Sequence, residues 1–147
     1  MNFNVLDRST SIHQNYLIEA SAGCGKTFSI ENLFIRLLFE GIKVGEILVV
    51  TFTKAGAADL RGRIHQNLIR SIKALKGEEQ PYDYLQKVLD EGEVEEAIKK
   101  LQEAYFYFDT AQVFTIHSFA ARTLSKLGFE ADVFVHEEQL LSSRERK

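Results

Sequence analysis

Residues Glu19–Ser29 read EASAGCGKTFS, and within them Ala20 is followed at the spacing A-x-x-x-x-G-K-T by Gly25, Lys26 and Thr27. That pattern is one residue away from G-x-x-x-x-G-K-[ST], a loop whose backbone N–H groups cradle nucleotide phosphates. The chemistry is anion binding. Gly23 and Gly25 let the backbone curl so that successive N–H groups point inward. Lys26 adds a point charge for the outer phosphates and is the candidate catalytic side chain. The Thr27 hydroxyl can complete the shell of a phosphate-bound Mg²⁺. Ala20 replaces the first glycine, which suits a position that needs a small residue more than a positive φ. The expected phosphate site is therefore Ala20, Ser21, Ala22, Gly23, Cys24, Gly25, Lys26 and Thr27. Cys24 has two readings. A thiol beside lysine at a helix N-terminus could be acidified and alkylated readily, or it fills a position pointing away from phosphate; the second is the plainer.

In the usual setting of such a loop, a buried strand delivers the chain to the foot of a helix. Tyr16–Ala20 is a short apolar run suited to a buried strand. Ile30, Leu33, Phe34, Leu37 and Leu38 then fall on one helical face, and Gly41 is a natural stop. Ile47–Phe52 is a continuous β-prone run of the kind covered on both faces. Strand, helix and strand in this order form a βαβ unit with parallel strands. A second helix carries Leu60, Ile64, Leu68, Ile72 and Leu75, and the segment Gly77–Pro81 breaks it. Two acidic helices are expected near 82–90 and 93–107. Gln112–Ile116 reads as a third strand, followed by a helix with Phe119, Leu124 and Leu127 that Gly128 can end. From Phe129 onward the pattern is ambiguous, and the tail after it reads as loose. The aromatic run Tyr105–Phe108 reads as core.

The bulk properties narrow the class. A chain of 147 residues suits one ordinary domain. No apolar run approaches the ~18 residues of a membrane span, and the N-terminus lacks a secretory signal. With a single cysteine, these features favour a reducing cytoplasm and exclude an internal disulfide framework. The four histidines stand without partners at ligand spacing, against a structural zinc site. The net charge of −3 argues against a general nucleic-acid binder. Its distribution qualifies that. Residues 1–75 hold nine Lys/Arg against six Asp/Glu, whereas 76–110 hold four against ten, so the front is mildly basic and the acidity sits in the middle.

Three phrases in order, LIEASAGCGKTF, ILVVTFTKAGAADLRGRI and VFTIHSF, make the chain resemble the superfamily 1 DNA helicases of the UvrD type. Within them it is most similar to the RecB-type branch, with AddA-type nuclease-helicase subunits second. The resemblance covers most of residues 15–127. It implies an α/β fold of the P-loop NTPase (RecA-like) class, with a partial parallel sheet flanked by helices. Residues 1–127 would be the amino-terminal part of the first RecA-like domain, with a helical insertion at about 78–108; residues 128–147 would begin a following subdomain or a loose tail. It implies ATP and Mg²⁺ as cofactors, and single-stranded DNA as a partner. The remainder of a helicase motor and the other subunits of a RecBCD-like complex would be the protein partners, with no membrane. The implied work is double-strand-break repair and recombination.

On the same resemblance Thr51, Phe52, Thr53, His117, Ser118 and Phe119 lie along the DNA path. The residue types suit that role: strand exits are where open α/β sheets place ligands, and Phe52 and Phe119 offer π-faces for bases of any identity. Core packing is the competing reading for both phenylalanines, and an ordinary capping or core histidine for His117. Arg61 and Arg63 could touch phosphate, but two arginines on a helix turn are usually solvated and stay outside the expected site.

The family's Asp-Glu motif, which binds Mg²⁺ and activates water, has no match here, and neither do the arginines of its second lobe. Gln14 is a candidate for its adenine-contacting glutamine. The chain is thus expected to be the opening part of a motor, holding ATP without turning it over alone. Two rivals stay open: a compact phosphate-loop kinase, and a non-catalytic nucleotide- or DNA-binding module.

Overall fold

Helix formation starts at the phosphate-loop candidate and is dictated by apolar spacing. The structure, a computed structural model, describes residues 4–7, 9–19, 21, 23 and 25–130. Helix α1 spans Lys26–Phe39 and turns Phe34, Ile35 and Leu38 into the core. It closes in a Schellman motif, with Gly41 at φ +87° donating to Leu38 C=O and Ile42 to Leu37 C=O. A short 3₁₀ turn, Val44–Glu46, then delivers the chain to strand β1, Leu48–Thr51. Helix α2, Lys54–Leu75, lays its apolar stripe across the core and ends in a second Schellman motif at Gly77. After Pro81 come α3 (Asp83–Glu91) and α4 (Val94–Phe106), at the positions the spacing predicts. A 3₁₀ turn at Phe108–Thr110 leads into β2, Gln112–Thr115, and α5 follows directly over Ile116–Glu130.

Strands β1 and β2 pair in parallel, with Leu48 opposite Gln112 and Thr51 opposite Thr115. Parallel strands need a crossover, and here α2, α3 and α4 form it. Side chains alternate along the strands: Val49 and Val113 are buried, while Leu48 and Val50 stay 43% and 40% exposed. Ile47–Phe52 is therefore covered on one face among the described residues, not on two.

The expected strand at Tyr16–Ala20 does not form over its described part. Residues 16–19 join neither strand, and Leu17 is 88% exposed. A run this short takes strand geometry from ladder partners, and β1 and β2 pair with each other. The expected βαβ unit is thus represented by α1 and β1, and the parallel pair is β1 with β2. The described residues form a mixed α/β arrangement with a two-stranded parallel sheet and several helices.

The core lies between α1, α2 and α4, where Ile35, Ile64, Leu68 and Leu101 are fully enclosed. Burying each such side chain contributes about 1.5–3 kcal/mol. The crossover helices are locked in by polar groups as well. Tyr84 of α3 donates its hydroxyl to Asn32 Oδ1 of α1 at 2.9 Å, and Asn67 Nδ2 of α2 donates to the same oxygen at 3.3 Å. Burial raises the Tyr84 phenol pKa well above its ordinary value, which keeps it a donor.

Two further expectations are corrected. Only Phe108 of the aromatic run is core; Tyr105, Phe106 and Tyr107 are exposed, Phe106 by 78%. Consecutive residues at a helix end point in different directions, so a run of four cannot all face inward. Helix α5 also continues past Gly128 instead of ending there, because an internal glycine costs only about 1 kcal/mol relative to alanine. Its Leu124 and Leu127 are more than half exposed. Everything beyond Glu130, including the expected start of a following subdomain, lies outside the described residues. No described helix is long and apolar enough to cross a membrane.

Candidate phosphate loop and strand exits

The phosphate-loop candidate meets the backbone demands that its residue types imply. Gly23 and Gly25 sit at φ +80° and +83°, a left-handed region that costs other residues roughly 1–2 kcal/mol. Conformation, not crowding, requires them: a Cβ on Gly23 would meet nothing within 4 Å, and one on Gly25 only the Phe28 Cβ at 3.9 Å. Gly25 is the N-cap of α1, with no side-chain cap hydrogen bond and no acidic residue in the first turn. The first intrahelical bond runs from Ser29 N–H to Gly25 C=O. The N–H groups ahead of it therefore have no carbonyl inside the helix and face outward with the positive end of the helix dipole. Lys26 Nζ donates to Ser21 C=O at 2.8 Å, folding the ammonium back over the loop. Thr27 is half-buried. Ala20, Ala22 and Cys24 lie outside the described residues.

The other candidate residues gather at one end of the sheet. Because Thr51 and Thr115 are in register, the segments leaving β1 and β2 start side by side, about 4.8 Å apart. From β1 the chain presents Phe52, 81% exposed. Thr53 then caps α2, its Oγ1 accepting the Gly56 N–H at 2.9 Å. Gly56 is tightly enclosed: a Cβ there would lie 2.9 Å from Thr53 Oγ1 and 3.3 Å from Thr51 Oγ1. From β2 the capping is reciprocal. Thr115 Oγ1 accepts the Ser118 N–H at 3.1 Å, and the Thr115 N–H donates to Ser118 Oγ at 3.0 Å. His117 is exposed and Phe119 half-buried. The Ser118 hydroxyl is thus engaged with the backbone of Thr115, whereas Phe52 and His117 face solvent. Among the described residues no cluster of three His, Cys, Asp or Glu could hold a metal ion.

Residues 1–146 match the family model described as the UvrD/REP helicase N-terminal domain. The chain belongs to that family. Among characterised relatives it is 40% identical over 135 residues to RecBCD enzyme subunit RecB of Escherichia coli K12, a match covering 85% of this chain and 11% of the relative. The RecB subunit of Chlamydia pneumoniae is 38% identical over 122 residues, covering 80% of this chain and 12% of the relative. That of Haemophilus influenzae is 33% identical over 138 residues, covering 83% and 11%. The chain spans about a ninth of the length of these relatives. Its similarity to RecB subunits agrees with the three ordered phrases in its sequence.

Two arginines with structural roles carry no signal in the spacing. Arg36 of α1 is buried and donates to the carbonyls of Val5 at 3.1 Å and Thr10 at 2.6 Å. It ties the segment ahead of the phosphate loop onto the helix behind it. Arg61 of α2 reaches the turn before β2. Arg63, by contrast, pairs with Asp59 one turn away at 2.8 Å on the surface. An arginine's carbonyl partners at 26 to 50 residues' separation leave no local signature, so only the LRGRI phrase itself marks the place of Arg61.

Proposed function

We propose that this chain forms the ATP-binding wall, and part of the single-strand DNA grip, of a RecB-type helicase motor acting in double-strand-break repair and recombination. The observation that carries the reading is the N-terminus of α1: uncapped, free of acid in its first turn, and preceded by two left-handed glycines with Lys26 beside them. That arrangement suits a triphosphate, whose charge would replace the missing cap. Ser21, Gly23, Gly25, Lys26 and Thr27 would hold the phosphates, with Ala20, Ala22 and Cys24 completing the loop, and Thr27 would face the Mg²⁺. ATP supplies the free energy of phosphoanhydride cleavage to such a motor. The chain's own part is to bind and orient. The backbone N–H groups fix the phosphates, and Lys26 can exchange the Ser21 carbonyl for a phosphate oxygen.

For DNA, the reading rests on Phe52 and His117, which stand exposed at neighbouring strand exits in a chain of a helicase family. A base stacked on an exposed ring is held without regard to sequence, as a translocating grip needs. Thr51, Thr53, Ser118 and Phe119 would shape the surface around them. The rest of the motor and the other subunits of a RecBCD-like complex are the proposed protein partners, in the cytoplasm.

Titration calorimetry with ATP and Mg²⁺ tests the central claim. Lys26→Ala is expected to weaken binding about a hundredfold, the loss of charge-assisted hydrogen bonds of roughly 1.5–3 kcal/mol, with the melting temperature unchanged. Equal affinity in parent and variant would remove the phosphate-loop reading.

A further inference from the structure

The LRGRI phrase contains an arginine whose surroundings are those of a clamp. Arg61 lies two turns into α2. Its Nη1 donates to the Ala111 carbonyl at 2.9 Å, and its Nη2 to those of Phe108 and Asp109, each at 3.2 Å. The guanidinium carbon sits 5.3 Å from the centroid of the Phe108 ring, and the exposed Asp109 carboxylate is 3.8 Å away. The three carbonyls belong to the turn that brings the chain into β2. One side chain therefore ties α2, the helix leaving β1, to the foot of β2.

The place of this tie along α2 matters. The helix begins at Lys54, immediately after Phe52 and Thr53, and its first deeply buried residue is Leu60. The turns before Leu60 are mostly exposed and are held by the Thr53 cap, the covalent link to β1 and the packing of Ala57 against the core. Arg61 is the first long-range polar anchor that the helix meets. A planar fork with two donating nitrogens suits three carbonyls fanned around a turn; an ammonium on a flexible stem does not.

We propose that Arg61 is a positioning residue for the nucleic-acid grip: by clamping α2 to the foot of β2 it holds the β1 exit, with Phe52, at a fixed offset from the β2 exit, with His117 and Phe119. The partner chemistry is a single strand whose successive bases stack on the two exits. The proposal rests on the reading above that those exits bind single-stranded DNA. A guanidinium spent on carbonyls is not aimed at phosphate, so Arg61 acts through geometry and not through its charge.

The chain contains no tryptophan, so Phe52→Trp places a single reporter at the β1 exit. In that background, titration of a short oligothymidylate is compared between Arg61 and the variants Arg61→Lys and Arg61→Gln. Far-ultraviolet circular dichroism checks that each is folded at the working temperature. The expected result for Arg61→Lys is an affinity for oligothymidylate about tenfold weaker, the scale of one imperfect stack, with ATP·Mg²⁺ affinity within about twofold of the parent. The dependence of log affinity on log salt is expected to be unchanged. A slope reduced by about one would make Arg61 a direct phosphate contact and overturn the proposal. Equal weakening of both ligands would reduce it to general stability, and oligothymidylate affinity unchanged in both variants would also overturn it. If the Phe52→Trp parent and the unmodified chain both fail to bind oligothymidylate, the DNA reading itself falls, and the clamp's role with it.

Discussion

The helix that follows the candidate phosphate loop and the helices that follow the paired strands solve the same problem in opposite ways. Every helix begins with N–H groups that lack an internal acceptor. At α2 and α5 the chain supplies its own: Thr53 accepts from Gly56, and Thr115 and Ser118 satisfy each other. At α1 it supplies no side-chain cap and places a left-handed glycine at the position instead. A side-chain cap stabilises a helix by about 1 kcal/mol. Helices α3 and α4 omit it too but carry acid in their first turn, whereas α1 carries none, which makes sense where an external anion takes that place. The strand exits, with their helix ends each carrying a side-chain cap, offer solvent an aromatic ring and an imidazole. The contrast separates the proposed anion site from the proposed stacking surface.

The largest effect that would break this contrast is expected at α1. Gly25→Ala forces a Cβ into the left-handed region and rotates the loop N–H groups away. ATP affinity should fall about thirtyfold, near 2 kcal/mol, measured by calorimetry, while single-strand affinity holds. A variant that binds ATP as the parent does would mean that the loop's backbone is not the anion site.

Next comes Gly56→Ala at the β1 exit. The added methyl would lie 2.9 Å from Thr53 Oγ1 and must break the cap or shift α2. A stability loss of about 1–2 kcal/mol is expected in urea unfolding, with ATP affinity unchanged. Thr53→Ala should cost about 1 kcal/mol by losing the cap alone, so the pair separates crowding from capping. If Gly56→Ala proves no worse than Thr53→Ala, the close approach has no consequence.

The smallest effect concerns the first acid along α1. Partial burial raises the Glu31 pKa, opposed by the charge of Arg63. A carboxyl with a raised folded pKa makes the folded state bind more protons than the unfolded one. Its penalty is therefore absent at low pH and grows as pH rises through the folded pKa. Glu31→Gln should raise the melting temperature slightly at pH 7, and the gain should vanish below about pH 4, under the ordinary glutamate value. A gain that persists at about pH 3 would trace it to something other than ionisation.

Legibility in the sequence differs from element to element. The periodicity of Ile30–Leu38 and of Leu60–Leu75 marks α1 and α2, and Gly41 and Gly77 mark their ends. A helix buries a face at regular spacing and stops where a left-handed residue is easily reached. The phrase GCGKT announces the backbone geometry at Gly23 and Gly25 for the same local reason. Tyr16–Ala20 misleads because an apolar run states only a preference for burial. Whether it becomes a strand depends on partners elsewhere. Tyr105–Phe108 misleads in the same way, since hydrophobicity does not say which way a helix end turns.

The sequence by itself determined the helices, the left-handed glycines ahead of α1 and the family, all of which live in residue types at short range. The tertiary structure alone decided that β1 pairs with β2, so that Phe52 and His117 share one end of the sheet. It alone turned Arg61 from a surface arginine into a tie across about fifty residues, joining α2 to carbonyls at the foot of β2. The physical reason is that backbone carbonyls are the same at every residue: a side chain that binds them shows its partner only once the chain has folded.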